Sequence, residues 1–214
     1  VLVFGVLLVL LAPCIDYVIV FTGLAGGAAD RLLAAAPVLM LGQMLLIPVY
    51  LGIFLGPGVA DLIEPGPFLE ALLLFIVVPL AAAALTQRLG ATRLMAAMEG
   101  LMVPLMAATL LVVVASQIGA VRADWTSLLR VIPLYAAFLV VMIPAGMLLA
   151  RLSRQDPPGA RAVVFSGATR NSLVVLPIAL TVPGAAAVVV TQTLVELVGM
   201  VIYVRLIPRL VQNQ

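Results

Sequence analysis

The sequence predicts an all-α integral membrane fold in which two of about seven membrane-crossing helices are broken in mid-span. Three observations carry that prediction. Hydrophobic residues make up 65% of the chain and charged residues only 9%, whereas soluble domains carry about 25% charged residues. Apolar runs of about 20 residues, the length a helix needs to cross a bilayer core, recur between clusters of Pro, Gly and Arg. Two of these runs are interrupted by short polar stretches that look like counterparts of one another. Unwound backbone and ionisable side chains persist at membrane depth only where protein or a watery cavity satisfies them, so a matched pair of interrupted spans implies a midplane site and a transporter.

The elements follow in order. A first span, 1–27, is broken by Ala12-Pro13-Cys14-Ile15-Asp16 and ends in the small-residue turn Gly26-Gly27-Ala28-Ala29. The next, 31–55, contains Gln43. A linker of Gly and Pro with Asp61 and Glu64 precedes spans at 68–86, 94–118 and 128–150. The sixth, 162–182, is broken by Gly167-Ala168-Thr169-Arg170-Asn171-Ser172, and the turn Pro183-Gly184-Ala185-Ala186 leads into a last span, 185–207, which contains Glu196. The chain starts at Val1 inside an apolar segment, which reads as a fragment without its natural N-terminus.

All eleven basic residues are arginines. Arg31, Arg88, Arg93, Arg151, Arg154, Arg161, Arg205 and Arg209 fall on one side of this layout, only Arg122 and Arg130 on the other, and Arg170 within a span. The positive-inside rule then places the C-terminus in the cytoplasm. Each broken span is followed, after a tight turn, by a span carrying one buried-type polar residue, Gln43 or Glu196. The two pairs are separated by three spans, so they have opposite orientations, as inverted repeats require. Five helices per repeat would make the visible spans the fourth to tenth of ten.

Ala12-Pro13-Cys14, Val20-Phe21-Thr22-Gly23-Leu24-Ala25, Arg170-Asn171-Ser172-Leu173-Val174-Val175-Leu176-Pro177 and Leu194-Val195-Glu196 resemble the bile acid/sodium symporter superfamily, and specifically its arsenite-efflux permease branch. The resemblance covers essentially the whole chain. It implies ten helices in a panel and a core domain, with the fourth and ninth unwound and crossing at the substrate. On that division, residues 1–55 close the first repeat in the core domain, 56–67 link the repeats, 68–118 are the first two helices of the second repeat in the panel domain, and 119–214 are its last three helices in the core. The branch is marked by a cysteine in the broken fourth helix and a glutamate in the tenth, matching Cys14 and Glu196. Asp16 and Arg170 depart from the better-known arsenite permeases and leave room for another substrate or coupling ion.

The chemistry of these residues reads independently. A thiol is a soft ligand suited to trivalent arsenic or antimony, and one sulfur allows capture that is also reversible; the alternative is that Cys14 is only a small buried hydrophobe. Asp16 and Arg170 need partners at midplane depth, either each other or substrate and proton. Thr169, Asn171 and Ser172 offer neutral oxygens and amides to hydroxyls or a hard cation, or else cap the half-helix ends. Glu196 is expected to be a proton or cation site, and Gln43 either joins the same cavity or bonds helix to helix. Glu70 and Glu99 are expected near span ends, and Trp125 and Tyr203 as interface anchors.

Other classes are excluded or weakened by what is missing. No lysine is present to form a retinal Schiff base, and no Ser–His, His-rich or paired-Asp set points to an intramembrane enzyme. Neither cofactor, resident metal nor nucleic acid is implied. The expectation is a plasma-membrane, multi-pass permease exporting metalloid by exchange with protons, the alternative being a sodium-coupled symporter of a small organic anion.

Overall fold

The computed structural model describes residues 1–14, 17–55, 73–123, 125–180 and 182–211. The helices are α1 (Leu2–Leu10), α2 (Val18–Leu24), α3 (Ala29–Leu55), a π-helical turn (Leu73–Val77) running into α4 (Val78–Arg88), α5 (Thr92–Ala123), α6 (Trp125–Leu152), α7 (Pro157–Ala168), α8 (Ser172–Leu180) and α9 (Ala185–Leu210). No strand occurs among the described residues, which hold one isolated antiparallel bridge between Pro13 and Arg170. The segment 56–72, with the expected linker and Glu70, lies outside them, as does Asp16.

Both expected interruptions are present. The first span is two short helices, α1 and α2, and the sixth is α7 and α8. Pro13 explains the first break, since proline lacks the amide donor an α-helix needs and disfavours helical geometry in the residue before it. At the second break Thr169 turns extended, with φ −91° and ψ 145°, and ends α7. The second interruption is shorter than expected: Gly167 and Ala168 stay in α7, and Ser172 already belongs to α8. α7 also begins earlier than expected, at Pro157, because proline at a helix start has the right φ and loses no hydrogen bond there.

The crossing divides the core in two. On one side, Leu8, Val9 and Ala12 of the first broken span pack with Val175 and Ala179 of α8, with Leu128, Val131 and Tyr135 of α6, and with residues 185–189 at the start of α9. On the other, Val18 and Phe21 of α2 pack with Val164, Phe165 and Ala168 of α7, with Leu139 and Ala150 of α6, and with Met200, Tyr203 and Ile207 of α9. α6 and α9 therefore brace both halves, and Leu128–Leu152 and Ala185–Leu210 are the two described helices long and apolar enough to cross a membrane. α1 approaches α9 closely: a Cβ on Gly5 would lie 2.9 Å from Val188 Cβ and 3.2 Å from the Ala185 carbonyl. α4 has no buried residue, and Leu80 and Leu85 on it and Leu89 just after it are exposed, a surface suited to lipid.

The turns after α2 and before α9 use the same device. Gly26 has φ +65° and Gly184 has φ +85°, left-handed conformations that cost other residues about 1–2 kcal/mol. Beside Gly26, the start of α7 is clasped to the end of α2. Arg161 donates to the Ala25 and Gly26 carbonyls at 3.2 and 3.0 Å, the Ala28 amide donates to Pro158 O at 2.9 Å, and Arg31 forms a two-pronged ion pair with Asp156 at 2.5 and 2.9 Å. The Arg31 guanidinium holds the Asp156 carboxyl below the usual carboxylate range.

Candidate functional site

The two broken segments satisfy each other's backbone where they cross. The Cys14 amide donates to Thr169 O at 3.3 Å and the Asn171 amide to Ala12 O at 2.8 Å, flanking the Pro13–Arg170 bridge. A break at membrane depth strands polar backbone groups that water cannot reach, and this short antiparallel contact pairs several of them without a sheet. Side chains complete the accounting. Arg170 Nη1 donates to Thr169 O at 2.8 Å, and the Tyr17 hydroxyl stands 3.2 Å from Arg170 O.

Glu196 is the hub of the site. It lies on the buried stripe of α9 with Met200, Tyr203 and Ile207, and its side chain is 1% exposed. Three donors converge on the carboxylate: the Tyr17 hydroxyl on Oε1 at 2.5 Å, the Arg170 backbone amide on Oε2 at 2.9 Å, and Gln192 Nε2, one turn earlier on the same helix, also on Oε2. Buried charge at membrane depth needs such partners. Glu196 thereby ties the start of α2 and the second break to α9.

The remaining expected residues fall into distinct roles. Cys14 is fully buried in the core half that contains Tyr17, Phe165 and Met200. Arg170 is half-buried, its guanidinium carbon 4.6 Å from the centroid of the Phe138 ring on α6, a cation–π arrangement. Its Nε is buried and has no hydrogen-bond partner, and the same holds for Asn171 Nδ2. Asn171 Oδ1 accepts from the Val174 amide at 3.2 Å, capping α8, and Thr169 Oγ1 donates to Phe165 O at 2.9 Å in the last turn of α7. Ser172 Oγ accepts from Thr193 Oγ1 at 2.7 Å, linking α8 to α9. Gln43 is buried on α3, where Nε2 meets the Met40 sulfur at 3.7 Å and Oε1 has no hydrogen-bond partner. Among the described residues no three His, Cys, Asp or Glu side chains cluster as a metal-binding set.

One expectation needs amendment. Tyr203 is not an interface anchor: it is 3% exposed, stacks edge-on against Phe165 and donates its hydroxyl to Leu139 O. It falls near the end of its span but on the buried stripe of α9, so helix phase outweighs depth. The Asp16–Arg170 pair lies outside the described residues, and so do the Glu99 and Trp125 side chains. Two residues of the site were not anticipated, Tyr17 and Phe138. Tyr17 carried a usable signal, because a tyrosine directly after a break within an apolar run must find a partner for its hydroxyl. Phe138 carried none, being one apolar residue among many on α6.

Residues 1–124 match the family model described as the sodium bile acid symporter family. The chain belongs to the sodium bile acid symporter family. The matched stretch holds the first break, Cys14 and Gln43, while the second break and Glu196 follow it. Members of the sodium bile acid symporter family are membrane transporters that couple substrate movement to sodium or a similar ion, and they are not enzymes. No curated protein and no solved structure matches the chain.

Proposed function

We propose that this chain is the transport core of a permease that exports trivalent metalloid, arsenite or antimonite, by exchange with protons. One observation carries the reading. Cys14 and Glu196 stand at the same crossing, joined through consecutive residues of the second break: Cys14 N bonds Thr169 O, and Arg170 N bonds Glu196 Oε2. A soft sulfur that captures the metalloid and a carboxylate that takes up the counter-ion are thus coupled through the single Thr169–Arg170 peptide group of the second break, so loading of one site bears on the geometry of the other. Ser172 and Thr193, buried and bonded to each other where α8 meets α9, offer hydroxyl oxygens to an arsenic-bound hydroxyl.

The wider architecture belongs to the same proposal. Residues 1–55 and 119–214 form the core that carries the crossing, 56–67 link two inverted repeats, and 68–118 belong to the panel against which the core moves. The Arg-rich end is cytoplasmic and the protein resides in the plasma membrane.

A second reading has its own support. Arg170 Nε and Asn171 Nδ2 are adjacent buried donors with no hydrogen-bond partner, and α8 begins beside them, an arrangement that suits a carboxylate. Sodium-coupled uptake of a small organic anion would use these donors and leave Cys14 without a role. Arsenite accumulation in everted vesicles separates the two, comparing wild type with Cys14→Ser, with and without a proton gradient. Gradient-driven uptake lost in Cys14→Ser supports export through the cysteine. No uptake by well-inserted wild type, together with sodium-driven uptake of an organic anion in right-side-out vesicles, supports the symporter.

A further inference from the structure

The Tyr17 hydroxyl faces two acceptors at once. Glu196 Oε1 lies at 2.5 Å and the Arg170 carbonyl at 3.2 Å, with the tyrosine itself 5% exposed. A phenol has one proton to donate but also lone pairs that accept, so it can serve only one of these oxygens at a time. We propose that Tyr17 is the positioning residue for a proton on Glu196: its hydroxyl donates to the ionised carboxylate and turns to the Arg170 carbonyl when Glu196 is protonated.

The proton count closes within the site. With Glu196 ionised, Tyr17 O–H points to Oε1, while the Arg170 amide and Gln192 Nε2 occupy Oε2. When Oε1 takes up a proton, its new O–H donates to the Tyr17 oxygen and the phenol hydrogen rotates onto Arg170 O. No covalent bond on tyrosine breaks, and both Oε2 donors keep their acceptor. The carboxyl therefore loads and unloads without leaving a buried donor unpaired, a state that costs about 1–3 kcal/mol per group. Tyr17 is the partner of Oε1 among the described residues, so removing its hydroxyl removes that acceptor from a protonated Glu196. The rotation also bears on the second break, because the carbonyl it reaches is that of Arg170, the residue paired with Pro13 between the two flanking bridge hydrogen bonds.

The other titratable or charged groups around Glu196 are few. Among the described residues they are Cys14 from the first break, the Arg170 guanidinium from the second and Tyr203 on α9 itself; Tyr135 of α6 donates to Val188 O at 3.2 Å, about two turns of α9 away, and α5, which also packs on α9, carries Arg93, Glu99 and Arg122 along its length. The helical residues of α1 and α8 bring no ionisable side chain, α2 brings none beyond Tyr17 at its start, and Arg161 of α7 is at the far, clasped end.

The inference rests on the reading of Glu196 as a proton carrier, and infrared difference spectroscopy of the protein in lipid tests the two separately. Acidification is expected to produce a carboxylic-acid C=O band that is absent from Glu196→Gln. In Tyr17→Phe that band is expected at higher wavenumber, because the acid has lost a hydrogen-bond partner. In wild type, a band of ring-labelled tyrosine is expected to change with the same midpoint, which needs no variant to fold. A Glu196 band that does not move in Tyr17→Phe, or a tyrosine signal that stays unchanged through the titration, overturns the role of Tyr17 while leaving Glu196 as the carrier. Absence of any Glu196 acid band across the working pH range overturns both.

Discussion

Replacing Glu196 by methionine keeps the length of the side chain and removes every acceptor at the hub. Three donors lose their partner: the Tyr17 hydroxyl, the Arg170 amide and Gln192 Nε2. Tyr17 has a second acceptor within reach in Arg170 O, so its loss counts for little. The other two are buried beside the crossing, and at about 1–3 kcal/mol for each stranded donor the variant should lose about 2–6 kcal/mol. Against a total stability of about 5–15 kcal/mol that is a large fraction. Reversible unfolding in mixed micelles, followed by helicity, measures it. Glu196→Gln should stay closer to wild type, since its oxygen at the Oε2 position accepts both the Arg170 amide and Gln192 Nε2 while its amide donates to the Tyr17 oxygen. A Glu196→Met protein within about 1 kcal/mol of wild type would refute the claim that the carboxylate holds the crossing together.

Other positions give sharper geometric tests. Gly5→Ala should separate α1 from α9 and cost about 1–3 kcal/mol by overpacking, read as a lower unfolding midpoint, because its Cβ would meet Val188 and the Ala185 carbonyl. Gly26→Ala forces a left-handed residue and drives a Cβ to 2.9 Å from Arg161 Nη1; about 1–2 kcal/mol of strain is expected, with faster proteolysis at the turn after α2. The Arg31–Asp156 clasp should depend on pH with a fixed sign. Asp156 is held below its ordinary range, so its contribution is present above the unfolded carboxyl pKa and is lost as pH falls through the lower, folded value. Proteolysis of the segment between α6 and α7 should therefore rise in acid in wild type, and Asp156→Asn should show the raised rate already at neutral pH.

The parts of this fold that were legible in the sequence are those that violate membrane chemistry unless something repairs them. Pro13 in an apolar run, and Thr169-Arg170-Asn171 in another, cannot continue a lipid-facing helix, so both breaks and their need for partners follow from the residues alone. Glu196 stood out for the same reason. What supports these residues was harder to see. Tyr17, Gln192 and Phe138 are ordinary in composition, and their importance comes only from where helix phase and the crossing place them. The capping of α8 by Asn171 is a case where chemistry alone left two roles open and the geometry supplies one, the Oδ1 contact to Val174, without using up the amide nitrogen. Tyr203 shows the converse: distance along a span predicted a headgroup position, whereas spacing of three and four residues from Met200 and Ile207 predicts the buried stripe.

The bridge between the two breaks has a consequence for biogenesis. Tyr17 and Arg170 are 153 residues apart, so the first interrupted segment enters the membrane long before its complement has been synthesised. Until then its exposed amides and carbonyls must be sheltered by water, by the insertion machinery or by an alternative register, and the bridge can close only as the last helices arrive. A polypeptide severed between the breaks should therefore give two fragments that are each short-lived in the cell, and whose lifetimes recover together when both are made in the same membrane.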